Sequence, residues 1–289
     1  MNLDIAVYKG NGLVKSSKKN RGKHFVFDLD ETLGSFSDLY ILYQCLDETH
    51  SNRIPSNSIL VKQLLKMYPE FLRYGIATIL QFLYHQKENN YCDGVHIYTN
   101  NQCVPDTWTF FITQFIEEHY SIPGLFGDII RAFKINGKIV EKRRSMQSKS
   151  YRDLMKCIMI PPKTEICFID DVMYPKIKNR YLYYLQPKPY FHELCKDMII
   201  NRFLNSQFGK TIVISNSRKA IYDWYQKKGY CMTGFLKCDQ DIETDIAVSK
   251  KMMYHIREFF LYKKKEAKTR KQSKKHMSSL SKTMKLRNE

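Results

Sequence analysis

Three short apolar runs in this 289-residue chain each lead into residues able to do chemistry. His24–Leu29 carries Asp28 and continues into Asp30, Glu31 and Thr32. Gly94–Tyr98 is followed by Thr99, Asn100 and Asn101, and Ile166–Ile169 by Asp170 and Asp171. A brief apolar run bounded by polar residues is the pattern of a buried strand. In an open α/β sheet, ligands sit at the carboxyl ends of the strands. Parallel neighbours would therefore converge Asp28, Asp30, Asp170 and Asp171 on one pocket. Carboxylates crowded in this way repel one another unless a cation lies among them. A hard, all-oxygen donor set of this kind suits Mg²⁺.

The order of these segments resembles the haloacid dehalogenase (HAD) superfamily over about residues 24–190. The D-x-D-x-T motif after the first strand is Asp28, Asp30 and Thr32; the second motif is Thr99; the acidic pair is Asp170 and Asp171. The stretch DLDETL, with Glu31, resembles the branch that holds the phosphatases of the RNA polymerase II C-terminal domain. The chain departs from that branch at Gly34-Ser35-Phe36, where Val-His is usual, and at Asp170-Asp171, where Asp-Asn is frequent.

The resemblance implies a Mg²⁺-dependent phosphatase acting on a phosphorylated protein or nucleic-acid end. Asp28 is then the nucleophile, since a carboxylate can attack phosphorus to give an aspartyl-phosphate. Asp30 offers its main-chain carbonyl to the metal and its side chain as acid and base. Asp28, Asp30, Asp170 and Asp171 hold the metal, and Thr32, Thr99 and Asn100 bind the substrate. The family also needs a lysine before the last strand. Lys142, Arg143, Arg144 and Lys149 are candidates, and Lys149 is preferred because it immediately precedes a helix leading to Asp170.

Those groups need a scaffold, and the sequence outlines one. Helical spacing covers Ile59–Tyr68 and Glu70–Gln86. Trp108, Phe111, Ile112, Phe115 and Ile116 mark an amphipathic helix opened by Pro105. Asn136-Gly137 is a hairpin turn within residues 129–140, and Ser150–Ile160 is a further helix. Tyr181–Leu185 reads as a strand, His192–Phe208 as a helix and Thr211–Ile214 as a strand. Ser217–Lys228 and Thr244–Lys263 read as helices. Residues 34–57 look irregular. Strands alternating with helices give an α/β class with a parallel sheet. With the resemblance, this becomes a Rossmann-like HAD core with a central, mostly parallel sheet and a small helical insertion over about 34–90. The domain reading is a basic flexible arm over 1–23, a core over 24–208, a mainly helical extension over 209–262 and a basic tail without fixed structure over 263–289.

Charge is concentrated at the ends. The net charge is +18; residues 263–289 carry eleven Lys/Arg against two Glu, and residues 1–23 six against one Asp. Such ends could hold nucleic acid nonspecifically, although few aromatics interleave with them. The alternative function is accordingly a non-catalytic nucleic-acid or protein-binding module on the same fold. Basic tails of this style also resemble those of giant-DNA-virus proteins, so the expected location is intracellular: cytoplasm, nucleus or a viral factory. The eight cysteines show neither C-x-x-C nor zinc-finger spacing, which implies free thiols. The longest apolar stretch, broken by Arg73, is too short to span a bilayer, so no membrane partner is expected.

Overall fold

The computed structural model describes residues 5–15, 22–54, 56–105, 107–213, 217–228 and 237–264. The strands in chain order are β1 (Ala6–Lys9), β2 (Leu13–Lys15), β3 (Lys23–Phe27), β4 (Gly94–Tyr98), β5 (Phe126–Ile130), β6 (Lys134–Ile135), β7 (Lys138–Ile139), β8 (Glu165–Ile169), β9 (Leu182–Gln186) and β10 (Tyr262–Lys264). The helices are α1 (Ser37–His50), α2 (Asn57–Met67), α3 (Ile76–Glu88), α4 (Trp108–His119), α5 (Tyr151–Ile158), α6 (Lys196–Asn205), α7 (Gln207–Ile212), α8 (Ser217–Lys227) and α9 (Asp239–Phe259).

Six strands form the central sheet in the order β1-β9-β8-β3-β4-β5. All neighbours are parallel except β1, which runs antiparallel to β9. The fold is thus a mixed α/β, Rossmann-like arrangement with a mostly parallel sheet. The chain leaves β3 for β4 on one side and returns through β8 on the other. That reversal of direction is the topological switch point of such a sheet.

Alternation along the strands assigns the two faces. Phe25 and Phe27 of β3, Cys167 and Ile169 of β8, and Tyr183 and Leu185 of β9 enter the larger core, with residues of α1 to α4, α6, α8 and α9. Val26, Ile166, Phe168, Leu182 and Tyr184 point the other way, onto Leu154, Cys157 and Ile158 of α5. Strands buried on both faces read as continuous apolar runs, which explains why β3, β4 and β8 stand out in the sequence.

Several expectations are corrected. Part of the segment expected to be a loose arm is built into the fold. Ala6–Lys9 pairs with β9, β2 pairs with β10, and Lys23 is fully buried. β1 and β2, of four and three residues, are too short to show periodicity. Residues 34–57 contain α1, whose Leu39, Ile41, Leu42, Tyr43, Cys45 and Leu46 are all buried. Its apolar residues run unbroken from Leu39 to Tyr43, which masks the helical spacing in the sequence.

Within the expected strand Thr211–Ile214, residues 211 and 212 end α7 and residue 214 lies outside the described residues. Ser206 divides the helix expected over 192–208: its hydroxyl accepts the Gly209 N–H at 2.8 Å and caps α7. The hairpin is confined to β6 and β7, with Asn136 and Gly137 at positive φ, while Phe126–Ile130 forms the sheet-edge strand β5. α9 starts at Asp239, before the expected Thr244, and gives way to β10. Of residues 263–289, all but 263 and 264 lie outside the described residues.

The expected insertion is helical, yet it packs against the sheet. Leu42 and Leu46 of α1, Leu60 and Leu64 of α2, and Ile79 and Leu83 of α3 share the core of Phe25 and Phe27. Gly34 marks the join. A Cβ there would lie 2.3 Å from the Phe71 carbonyl oxygen, so only glycine lets this loop approach Phe71 and Leu72.

Candidate active site

The carboxyl ends of β3 and β8 are adjacent, since Phe27 is in register with Ile169 and the Asp28 N–H donates to the Ile169 carbonyl at 2.8 Å. One residue further along each strand, the side chains of Asp28 and Asp170 meet. Lys149 Nζ lies 2.6 Å from Asp28 Oδ1 and 2.7 Å from Asp170 Oδ2. Carboxylate oxygens of Asp28, Asp170 and Asp171 all fall within 4.8 Å of one another. Lys149 is 1% exposed and Asp170 0%, so these charges are held largely away from water. Of the four cationic candidates, Lys149 is the one in the cluster. Arg144 instead donates to the carbonyls of Thr99, Arg131 and Gln147, Arg143 donates to that of Cys157, and Lys142 is exposed.

Thr32 anchors the acidic pair. Its hydroxyl donates to Asp171 Oδ1 at 2.9 Å and accepts the Asp171 N–H at 3.0 Å. It therefore positions an acidic side chain and does not present itself to a substrate. Val172 N–H fixes the second oxygen of Asp170 at 2.9 Å. Asp30 stands apart from the trio, its Oδ2 accepting from Asn101 Nδ2 at 2.8 Å. Asn101 is itself held, because its N–H donates to Thr99 Oγ1 and its Oδ1 accepts the Cys103 N–H, each at 2.9 Å.

Asn100 does not face the acids. Arg144 donates to its Oδ1 at 2.7 Å, and its Nδ2 donates to the Tyr174 hydroxyl at 3.2 Å. In extended chain successive side chains alternate, so Thr99 and Asn101 share one side while Asn100 takes the other. Attention to that alternation would have selected Asn101 from the sequence. Arg73 also escapes sequence reasoning. From the segment between α2 and α3 it donates to the carbonyls of Thr32 (2.6 Å), Glu31 (2.5 Å) and Lys188 (2.9 Å), tying the loop after Asp28 to the segment after β9. That loop contains Glu31 at φ 55°, a left-handed conformation uncommon for a non-glycine residue. No local sequence signal marks Arg73, because its partners are main-chain carbonyls far along the chain.

The electrostatics follow from burial. Desolvation pushes the Asp30 carboxyl up to about 7, with the Asn101 hydrogen bond opposing and the Asp28 charge adding. Burial likewise raises Asp170 to about 7 against the pull of Lys149, and it raises Asp171, with Asp28 adding to the effect. Glu31 rises to about 8 by burial and by Asp30. Burial disfavours the Lys149 ammonium, yet the Asp28 and Asp170 carboxylates together hold its pKa above the ordinary lysine value. Three clustered carboxylates face one ammonium, a formal excess of two negative charges. A donor set of carboxylate oxygens with that excess fits a divalent, oxygen-seeking cation such as Mg²⁺.

Compared with family models, curated proteins and solved structures, the chain matches none. Among the described residues no helix is long and apolar enough to cross a membrane. The described cysteines are free thiols, with Cys45, Cys92, Cys157 and Cys167 buried; Cys231 lies outside the described residues.

Proposed function

We propose that the chain is a Mg²⁺-dependent phosphatase of the haloacid dehalogenase type, hydrolysing a phosphomonoester through an aspartyl-phosphate at Asp28. The observation that carries this reading is the convergence of Asp28, Asp170 and Asp171 around Lys149 at the switch point of the sheet. Structural ion pairs balance their charges, whereas this cluster keeps two carboxylates in excess. Asp28, Asp170 and Asp171 would hold the cation. When bound, it would neutralise charge on the phosphoryl oxygens, which otherwise repel an attacking carboxylate.

The chain's own residues supply the remaining chemistry. An Asp28 carboxylate oxygen attacks phosphorus, and the bond to the leaving oxygen breaks. Lys149, beside Asp28, stabilises negative charge on the transferred group. Asp30, poised at about 7, gives its proton to the leaving oxygen. It then takes one from the water that attacks phosphorus, which frees Asp28 and releases phosphate. A carboxyl with a pKa near the operating pH suits both halves of that exchange and is worth on the order of a hundredfold or more in rate. Asn101 keeps Asp30 in place, and Thr32 keeps Asp171 in place.

A macromolecular substrate, such as a phosphoprotein, accords with how α1, α2 and α3 are used. They are spent on covering the sheet face, which favours an open site. The test is Mg²⁺-dependent release of nitrophenol from p-nitrophenyl phosphate by the full-length chain. Turnover that needs Mg²⁺ and Asp28 is expected, and the absence of turnover on any phosphoester would remove the reading.

A further inference from the structure

A second charged feature lies on the flank between α5 and the start of β9. A cavity of about 420 Å³ opens there. Two tyrosines, Tyr151 and Tyr181, line it, with Met155 and Ile160 as apolar wall. Around these half-buried groups stand three exposed cations, Lys156, Lys163 and Arg180. Among the described residues that line it, none is a carboxylate. The Arg180 guanidinium lies over the Tyr181 ring, 5.2 Å from its centroid. The same pairing repeats next to it, with Lys178 over Tyr8 at 5.3 Å and the Tyr8 hydroxyl reaching the Asn179 carbonyl.

This surface is built on fixed backbone. The Gly12 N–H donates to the Arg180 carbonyl at 2.7 Å and the Gly10 N–H to the Leu182 carbonyl at 2.9 Å, while Asn179 Oδ1 accepts the Tyr181 N–H at 3.0 Å. A Cβ on Gly12 would come within 2.6 Å of the Arg180 oxygen, so the approach of the two segments is close. The backbone that carries Arg180 and Tyr181 is therefore held in place.

A lone phosphate would use the cations and leave the rings idle, and so would an acidic peptide. A polymer of alternating flat bases and phosphates uses both. Cations tracking a backbone beside aromatic rings that accept bases is the pattern of single-strand binding, and stacking tolerates any base. We propose that this pocket binds single-stranded nucleic acid, with bases on Tyr151 and Tyr181 and phosphates on Lys156, Lys163 and Arg180. The proposal is independent of the acidic site, and it differs from nonspecific attraction to the basic chain ends, which contain few aromatics.

The experiment titrates a short fluorescein-labelled oligothymidylate with the full-length chain across a salt series, by fluorescence anisotropy. Tyr181→Ala is expected to weaken binding by about fivefold or more, the loss of one stacked base. Lys163→Gln with Arg180→Gln, both exposed side chains, is expected to flatten the salt slope by about 1.4, near 0.7 per lost phosphate contact on a single strand. Photocrosslinks from a 4-thiothymidine oligomer should map to α5 or to residues 178–181. The proposal is overturned if all these variants bind as wild type with an unchanged salt slope. Crosslinks confined to residues 265–289 overturn it too, as does displacement of the oligomer by polyglutamate at equal charge concentration.

Discussion

The two ends of β3 and β8 carry two buried lysines in opposite situations. At the amino-terminal edge, Lys23 pairs with Glu165, its cross-strand neighbour, donates to the Tyr262 carbonyl and sits over the Phe259 ring at 4.3 Å. Burial lowers the Lys23 pKa, with the Glu165 carboxylate opposing. At the carboxyl-terminal edge Lys149 meets Asp28 and Asp170, with Asp171 close by, and its pKa is raised. The same two strands thus end in a balanced pair on one side and a carboxylate surplus on the other. A balanced pair needs no further partner. A surplus is relieved by a bound cation or by protonation, and the raised Asp170 and Asp171 carboxyls show how strongly this edge needs one or the other.

Breaking the comparison at its strongest point means removing the proposed nucleophile. Asp28→Asn is expected to lower kcat/KM on an aryl phosphate by on the order of a thousandfold or more, measured by initial rates. Glu165→Gln, at the balanced edge, should leave the rate per folded molecule unchanged. Removing the lysines comes next. Lys149→Met should cost about 3–5 kcal/mol of stability by urea unfolding, since it leaves the buried Asp28 and Asp170 carboxylates without their ammonium; Lys23→Met, whose partner Glu165 is only partly buried, should cost less. Only Lys149→Met should also abolish turnover.

How much of this was legible in the sequence depended on what kind of signal each residue leaves. β3, β4 and β8 were readable because strands buried on both faces are largely apolar and break off sharply at Asp28, Thr99 and Asp170. Lys149 was readable through its place just before α5. α1 was not, because its unbroken apolar run from Leu39 to Tyr43 masks the helical spacing. Asn100 was chosen for the site and Asn101 passed over, because adjacent residues of the same type differ only in the direction of their side chains. Arg73 and the pairing of β1 with β9 rest on main-chain groups distant in sequence, which residue type does not encode.

Metal addition sharpens the contrast further. Saturating Mg²⁺, at about a hundred times its dissociation constant, should stabilise the wild type by about 2.7 kcal/mol, read as a rise in Tm. The rise should vanish in Asp170→Asn and persist in Glu165→Gln. The smallest effect expected is one of pH. The folded-state pKa of Asp30, about 7, lies above the ordinary aspartate value of 3.8. Its protonated form is therefore favoured by folding, and the stability it contributes is complete below about 4 and lost as pH rises towards 7. Asp30→Asn, which mimics the protonated form, should match the wild type at pH 4 without metal. It should gain about 1–3 kcal/mol over it by pH 8, since a tenfold change in proton affinity between the folded and unfolded chain is worth about 1.4 kcal/mol. Urea unfolding across that range checks the sign.

The most direct measurement is chemical trapping of residue 28. The full-length chain is mixed with an aryl phosphate and Mg²⁺, quenched, reduced with borohydride and mapped by mass spectrometry. An acyl-phosphate at Asp28 is expected to appear as homoserine at that position, dependent on Mg²⁺ and lost in Lys149→Met. Sustained hydrolysis with Asp28 recovered unmodified and with full activity in Asp28→Asn would contradict the assignment of the acidic edge as a phosphoryl-transfer site.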